Sequence, residues 1–296
     1  MKQSAILFET RARVLRARSE NSTLMRNKHF ITMKILLKTM LAGVLLLAGS
    51  ALARAQFLDA TTGLLSMPTA VMNPGGTFMV TANFLNKNYT PPGWNYHTFG
   101  YGFDVALWDR IEAAYVLTIV DGYRTDEDGV YHYTNQDRHF SAKLLVFQEG
   151  EFGKNWMPAL AMGVCDLTTG GGGSDYGTGV QDTGNGSFNR WYIVATKHFN
   201  TPWGELGAHA GYQTNQLFVK RKDRIINAPC AGINWRPIWL QTDRLTLDLV
   251  AEYDSLYFNL GFIASLWHDR VEAMFNLQSF RYVSFGVRYK MGLRNY

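Results

Sequence analysis

The chain has 296 residues and a formal net charge of +5, but the charge is unevenly distributed. The first 55 residues hold ten of the 29 Lys and Arg residues and only two of the 24 Asp and Glu residues, which leaves 19 basic and 22 acidic residues beyond them. A nucleic-acid-binding role based on charge is therefore excluded, and no apolar run beyond residue 56 reaches the roughly 18 residues of a membrane helix.

Residues 33–55 have the three parts of a secretory signal peptide. Two lysines begin the stretch, residues 40–48 are apolar, and residues 53–55 form a small-residue cleavage site. The apolar part is too short to cross a membrane as a helix. We therefore predict that residues 1–55 are removed on export and that Met33 is the true start. Alternatively, the residues before Met33 belong to the signal peptide and form an unusually long basic N-terminal region.

About twelve amphipathic strands are predicted in residues 77–296, in which apolar and polar side chains alternate. Side chains alternate across a strand with period two, so each strand has one apolar face and one polar face. The pattern is clearest in residues 245–291, where four such strands follow one another with short connections. It is weakest in the fourth, fifth and sixth strands, near residues 138–147, 159–167 and 189–199.

The strands are roughly 8–11 residues long, enough to cross a bilayer when tilted. This length and the signal peptide favour an all-β fold, a transmembrane antiparallel β-barrel in the outer membrane of a Gram-negative bacterium. A soluble β-sandwich also alternates and is the alternative. The longest predicted loops fall at one end of such a barrel. Tryptophans, which prefer membrane interfaces, fall in or beside the short turns of the other end: Trp108, Trp156, Trp203, Trp239 and Trp267.

The polar faces of the strands would line the lumen of this barrel. We expect eight residues there: Glu112, Glu205, Asp248, Glu252, Asn259, Glu272, Asn276 and Arg288. Sugars are held by carboxylate and amide hydrogen bonds and by aromatic faces. The lumen would therefore suit a hydrated glycan, together with four tyrosines of the predicted external loops: Tyr123, Tyr131, Tyr133 and Tyr176.

Residues 56–76 lack the alternation of a strand and are predicted to form a periplasmic or plug segment. They are rich in turn residues but contain apolar side chains such as Leu64, Leu65 and Met67. Barrels of about eight strands are filled by side chains and barrels of about sixteen hold a water channel. Twelve strands lie between these sizes, so a short segment would close the lumen. A disordered leader is the alternative.

Several short stretches resemble the YjbH-like family of outer-membrane exopolysaccharide and capsule proteins. The first motif contains Gly63, Pro68, Thr69 and Ala70. The others cover residues 75–77, 107–112, 140–145, 158–167 and 192–197. Family members are often longer, with a second barrel-like half, so the chain resembles a short, single-barrel member. The resemblance implies an outer-membrane barrel associated with polysaccharide secretion, with export partners possible.

No catalytic, metal-binding or cofactor-binding pattern is recognisable, so we expect no enzyme, no metal and no cofactor. The histidines lack an HExxH or Ser–His pattern. Residues 170–175 fit one calcium-binding repeat, but a single copy cannot form a β-roll, which favours a flexible loop. The basic cluster of residues 220–222 and Arg224 suggests contact with anionic lipopolysaccharide or with an acidic glycan, and a solvated charge run is the alternative. A general porin and an outer-membrane lipid-modifying enzyme are the alternative functions.

Overall fold

The computed structural model describes residues 56, 58–90, 96–120, 135–166, 188–217 and 224–292. The predicted signal peptide, the four loop tyrosines, the glycine-rich residues 170–175 and the basic residues 220–222 lie outside these ranges. Within the described ranges, no helix is long and apolar enough to cross a membrane.

Twelve antiparallel strands form one closed barrel, which confirms the predicted fold class. In chain order the strands are β1 (Thr77–Leu85), β2 (Thr98–Leu107), β3 (Ile111–Val120), β4 (Asn135–Phe147), β5 (Ala159–Cys165), β6 (Arg190–Thr201), β7 (Gly204–Thr214), β8 (Asn227–Pro237), β9 (Leu245–Tyr253), β10 (Phe258–Leu266), β11 (Val271–Gln278) and β12 (Tyr282–Gly292). Each strand pairs with its neighbours in sequence, and β1 closes the barrel by pairing with β12 from Thr77↔Gly292 to Phe84↔Phe285. The fourth, fifth and sixth strands, whose alternation was weakest in the sequence, are all present, and β6 extends to Thr201.

The burial of side chains follows the period-two alternation of the sequence. Outward-facing Phe99, Phe140 and Val287 are each 52–59% exposed, whereas inward-facing Asp104 and Glu112 are fully buried. This arrangement is the reverse of a soluble protein, in which apolar side chains are inside. The barrel therefore has an apolar outer wall and a polar interior.

The two ends of the barrel differ, and we call them the turn end and the loop end. At the turn end, β2 and β3 are joined through residues 108–110, and β10 and β11 through residues 267–270. Trp108 and Asp109 have φ of 52° and 57°, and Trp267 and His268 have φ of 52° and 56°. Two consecutive left-handed residues match the twist of the flanking strands. Both turns therefore begin with a tryptophan in the left-handed conformation, although the β10–β11 turn is one residue longer and has a third left-handed residue, Asp269, with φ of 64°.

The five tryptophans predicted at the turns all lie at the turn end. Each is exposed, with 60–72% of its surface accessible: Trp108, Trp156, Trp203, Trp239 and Trp267. The loop end carries the long connections from β1 to β2, β3 to β4, β5 to β6 and β7 to β8, which include all the residues between β1 and β12 that are not described.

Candidate functional site

The N-terminal segment, defined as residues 56 and 58–76, lies inside the barrel. Gln56 contacts Arg190 at the loop end of β6, and the Gly75 amide donates a hydrogen bond to Asp109 in the β2–β3 turn. The segment therefore extends from the loop end to the turn end. Most of its residues between Asp59 and Asn73 are buried, so the interior is filled by the chain itself.

A tight hairpin forms the middle of the N-terminal segment. Gly63 and Pro68 form an antiparallel bridge, and the Leu64 amide donates to the Met67 carbonyl at 2.9 Å. A Cβ atom at Gly63 would lie 2.3 Å from Gln56 Cγ and 2.7 Å from the Met67 carbonyl oxygen. Glycine is therefore required for the two arms of the segment to approach each other.

Ala70 attaches this hairpin to the barrel wall, and Thr69 makes a contact within the segment. The Ala70 amide donates to Thr196 Oγ1 at 2.9 Å, and the Val71 amide approaches Thr69 Oγ1 at 3.4 Å. Thr196 in turn bonds to His209 Nδ1 at 2.9 Å. The motif noted in the sequence thus builds and anchors the segment that fills the lumen.

Glu252 of β9 holds the tip of the hairpin through its carboxylate. Its oxygens accept hydrogen bonds from the amides of Leu65 at 3.0 Å, Ser66 at 2.6 Å and Met67 at 3.3 Å. Asn259 adds a fourth donor at 3.0 Å. Hydrogen bonds to an ionised acceptor are about twice as strong as neutral ones. Glu252 therefore satisfies three consecutive buried amides that have no strand partner.

Glu112 and Lys143 hold the two arms of the hairpin together from β3 and β4. Glu112 accepts hydrogen bonds from the Thr62 amide at 2.8 Å and the Asn73 amide at 2.7 Å. Lys143 Nζ donates to the Thr62 carbonyl at 2.9 Å and to the Val71 carbonyl. Lys143 and Glu112 also form a buried ion pair at 3.7 Å. One carboxylate and one ammonium group thus satisfy donors and acceptors of both arms.

Arg190 of β6 anchors the beginning of the N-terminal segment. Its guanidinium forms an ion pair with Asp59 and donates to Gln56 Oε1 at 2.6 Å. It also donates to the Ser66 carbonyl at 3.0 Å and to Gln213 at 2.9 Å. The fixed fork of donors in arginine suits this role, since it joins two parts of the segment to the wall.

Apolar packing completes the interior on both sides of the hairpin. Leu64 and Leu65 belong to a buried cluster with Tyr89 of the β1–β2 connection and the wall residues Leu85, Val250, Ile263 and Met274. Met67 and Ala70 belong to a second cluster, which includes Leu145, Tyr192 and Val194. Full burial of a leucine or methionine side chain contributes about 1.5–3 kcal/mol. Both polar and apolar contacts therefore hold the segment in place.

The eight residues predicted to line the lumen all lie on the inward faces of their strands. Seven are buried, and Glu205, at the turn end, is partly exposed and lies 3.9 Å from Arg236. Among the others, Asp248 accepts hydrogen bonds from Arg236 and Asn234, and Asn259 also donates to Asp254.

Three more of the eight residues pair with other groups of the barrel interior. Glu272 pairs with Arg288 at 3.0 Å and with Lys290 at 2.6 Å, and Asn276 donates to the hydroxyl of Tyr89. These polar side chains therefore bind the N-terminal segment or one another, where we had expected them to face an open path.

Two small cavities border the N-terminal segment, with room for about one and about three water molecules. One of about 10 Å³ lies beside Gly63 and Glu205 towards the turn end. Another of about 40 Å³ lies beside Leu58, Tyr89 and Arg190 towards the loop end. A water molecule needs roughly 10–15 Å³ of such space, so neither cavity can hold a sugar ring. The closed lumen is the main geometric feature of the site.

The interior roles of Lys143, Arg190 and Tyr89 were not predicted from the sequence. Lys143 lies two and four residues after Ser141 and His139, and all three are buried. The alternation of β4 could therefore have predicted that Lys143 faces inward. Arg190 begins a strand whose pattern was weak. Tyr89 lies in a predicted loop but reaches Ser66 with its hydroxyl. Arg224, assigned to an external basic cluster, donates to the Tyr89 carbonyl at 3.1 Å.

A separate group of charges ties the β4–β5 turn to β6 at the turn end. Glu149 accepts hydrogen bonds from Lys197 Nζ at 2.8 Å and from His198 Nδ1 at 2.7 Å. Partial burial alone would raise the pKa of the Glu149 carboxyl group. The hydrogen bonds from His198 and Lys197 outweigh burial and lower its pKa to about 2. The charged form of Glu149 therefore stabilises this turn.

A family model described as "Exopolysaccharide biosynthesis protein YbjH" matches residues 58–293. No curated protein matches the chain. One solved structure that aligns with it is the alcaligin outer membrane receptor FauA from Bordetella pertussis, with 13% sequence identity and a TM-score of 0.21. That alignment covers 66% of this chain and 36% of the receptor. The matched part thus spans about a third of the receptor's length.

Proposed function

Because the chain belongs to the YjbH family of exopolysaccharide biosynthesis proteins, we propose that it is an outer-membrane barrel that acts in the secretion of an exopolysaccharide or capsule. We further propose that the N-terminal segment closes the barrel at rest. The observation that carries this second point is a set of buried hydrogen bonds: Glu252 and Glu112 accept from amides of the segment, and Arg190 donates to one of its carbonyls.

The apolar outer wall supports a location in the outer membrane. The outward side chains of β2, β6 and β12 include large apolar residues with a third to half of their surface exposed, a pattern that soluble proteins avoid over large areas. The exposed tryptophans at the turn end would lie at one lipid–water interface. We expect the mature chain in the outer-membrane fraction, with faster gel migration before heating than after it. Recovery as a soluble periplasmic protein would contradict this location.

Passage of a glycan through this barrel requires the N-terminal segment to move. Its ion pairs and hydrogen bonds are buried. Displacement of the segment therefore exposes several charged groups to solvent or leaves them buried without a partner. We therefore propose that the growing polysaccharide or an export partner displaces the segment. A general porin would hold a permanently open channel, which the filled interior disfavours. We also propose that the role is not enzymatic, since the interior carboxylates are engaged in holding the segment.

The role in secretion is tested by deletion of the gene and complementation. The deletion should reduce surface polysaccharide without changing porins or the lipid profile, and the wild-type gene should restore it. Normal surface glycan in the deletion strain would refute the secretion role. Loss of a lipid modification in that strain would instead favour the enzyme alternative.

Movement of the segment is tested by a covalent link between the segment and the wall. Ala70→Cys combined with Thr196→Cys joins two positions that are in hydrogen-bond contact. The oxidised double variant should assemble but fail to restore the polysaccharide, and reduction should restore it. Ala70→Cys alone is the matched control. Full secretion by the oxidised double variant would show that the segment need not move.

A further inference from the structure

Three side chains with metal-binding atoms come together at the loop end of the barrel. Asp137 and His139 are two residues apart on β4 and face inward, and Asp166 follows the last residue of β5. One donor atom from each of the three side chains lies within 4.8 Å of the others. His139 and Asp166 are fully buried, and Asp137 is partly buried.

The backbone conformation of Asp166 turns its carboxylate towards His139. By the alternation of β5, residue 166 would face outward, because Cys165 faces inward and is buried. Asp166 instead has φ of 54°, and its amide donates to the Phe140 carbonyl at 2.8 Å. Its carboxylate accepts a hydrogen bond from the Phe188 amide at 2.7 Å. These bonds fix the side chain in the interior.

One ring nitrogen of His139 has a lone pair that accepts no hydrogen bond from the described residues. Its Nε2 atom lies 3.2 Å from the Leu58 carbonyl oxygen, and a carbonyl only accepts, so Nε2 carries the proton. In the neutral ring Nδ1 is then an acceptor. Among the described residues, Nδ1 is buried without a hydrogen-bond partner. A histidine that binds a metal almost always donates its other ring N–H to a carbonyl or carboxylate, as His139 does.

We propose that Asp137, His139 and Asp166 bind one divalent transition-metal ion. Imidazole nitrogen with carboxylate oxygen suits Zn²⁺ or a similar ion, whereas Ca²⁺ prefers six to eight oxygens. Two metal–ligand bonds of about 2.1 Å span at most about 4.2 Å. In a tetrahedral Zn²⁺ site the two bonds are not collinear, and two donor atoms lie about 3.4 Å apart. Donor atoms up to 4.8 Å apart must therefore approach one another by up to about 1.4 Å when the ion binds.

The bound ion would also fix the beginning of the N-terminal segment at the loop end. His139 is held by Leu58 of that segment through Nε2, and Asp166 is held by Phe188, whose ring packs on His139 at 5.1 Å. The ion would thus connect β4, the end of β5, the start of β6 and the segment. The metal site shares no residue with the contacts of Glu252 and Glu112, and ion binding there does not depend on the proposed secretion role.

The test is a Zn²⁺ titration of the whole purified chain in detergent, without a histidine tag and after removal of metals by a chelator. Calorimetry should give one Zn²⁺ per chain, and Co²⁺ should give visible d–d absorption that Zn²⁺ removes. His139→Gln, whose amide can still donate to the Leu58 carbonyl, should weaken Zn²⁺ binding at least about 100-fold. Asp166→Asn should do the same. His268→Gln, in the exposed β10–β11 turn, is the matched control and should bind as the wild type does.

Assembly of each variant is checked by its heat-dependent migration on a gel. If Asp166→Asn fails to assemble, Asp137→Asn at the more exposed end of the site replaces it. The proposal is overturned if the wild type binds no stoichiometric Zn²⁺. It is also overturned if assembled His139→Gln binds Zn²⁺ as tightly as the His268→Gln control.

Discussion

Replacement of Glu252 with Gln should release the tip of the N-terminal segment while the barrel stays assembled. The carboxylate accepts four hydrogen bonds, two on each oxygen, from the amides of Leu65, Ser66 and Met67 and from Asn259. The glutamine amide keeps one oxygen, so two of these four donors lose their acceptor. The strand ladder of β9 uses backbone groups and is unaffected by the change.

The expected magnitude follows from the two hydrogen bonds that are lost. A hydrogen bond to a charged group contributes about 1.5–3 kcal/mol, so docking of the hairpin tip should weaken by about 3–6 kcal/mol. Since each 1.4 kcal/mol is a factor of ten, the undocked population should rise at least about 100-fold.

Hydrogen exchange of residues 64–67, followed by mass spectrometry on the purified barrel, measures this population. Glu205→Gln is the matched control, because that carboxylate is 27% exposed and lies 3.9 Å from its arginine neighbour. Single-channel conductance in planar bilayers gives a second reading, with more frequent openings expected for Glu252→Gln only. An assembled Glu252→Gln barrel with unchanged exchange at residues 64–67 would refute the assigned role of this carboxylate.

Three other substitutions test separate parts of the structure. Arg190→Met should leave a buried carboxylate of the N-terminal segment without its ion-pair partner, a loss of about 3–5 kcal/mol that limited proteolysis of the segment would detect. Gly232→Val should also undock the segment, because a Cβ atom there would lie 2.7 Å from Leu64 Cδ1. Ala231→Val, at an outward-facing position, is the control and should leave the segment docked. Equal protease resistance of these two variants would contradict this packing. Glu149→Gln should cost about 1–3 kcal/mol of unfolding free energy at neutral pH. The pKa of Glu149 falls from 4.5 to about 2 on folding, so its contribution is complete above pH 4.5 and disappears as the pH falls to 2. Urea unfolding of wild type and variant should therefore converge near pH 2, and a constant difference down to that pH would contradict the ion-pair assignment.

The sequence alone determined the strands, their inward and outward faces and the two different ends of the barrel. These features are local, because a side chain at position i faces the same side as those at i+2 and i+4. The tryptophans of the short turns could likewise be assigned to one end by counting strands. For the same reason, all eight predicted lumenal residues face inward, including Glu252 and Glu272.

Only the tertiary structure decided what those inward side chains bind. Glu252 meets the amides of residues 65–67 across more than 180 positions of sequence, and Arg190 meets Asp59 across 131. Such pairs depend on closure of the barrel and on the path of a segment that has no periodic pattern. The turn of Asp166 into the interior breaks the alternation through one left-handed residue. A period-two pattern specifies which way a side chain faces, but not which group forms a hydrogen bond with it. A buried polar side chain must find its partner within the protein, so that partner depends on how the whole interior is packed.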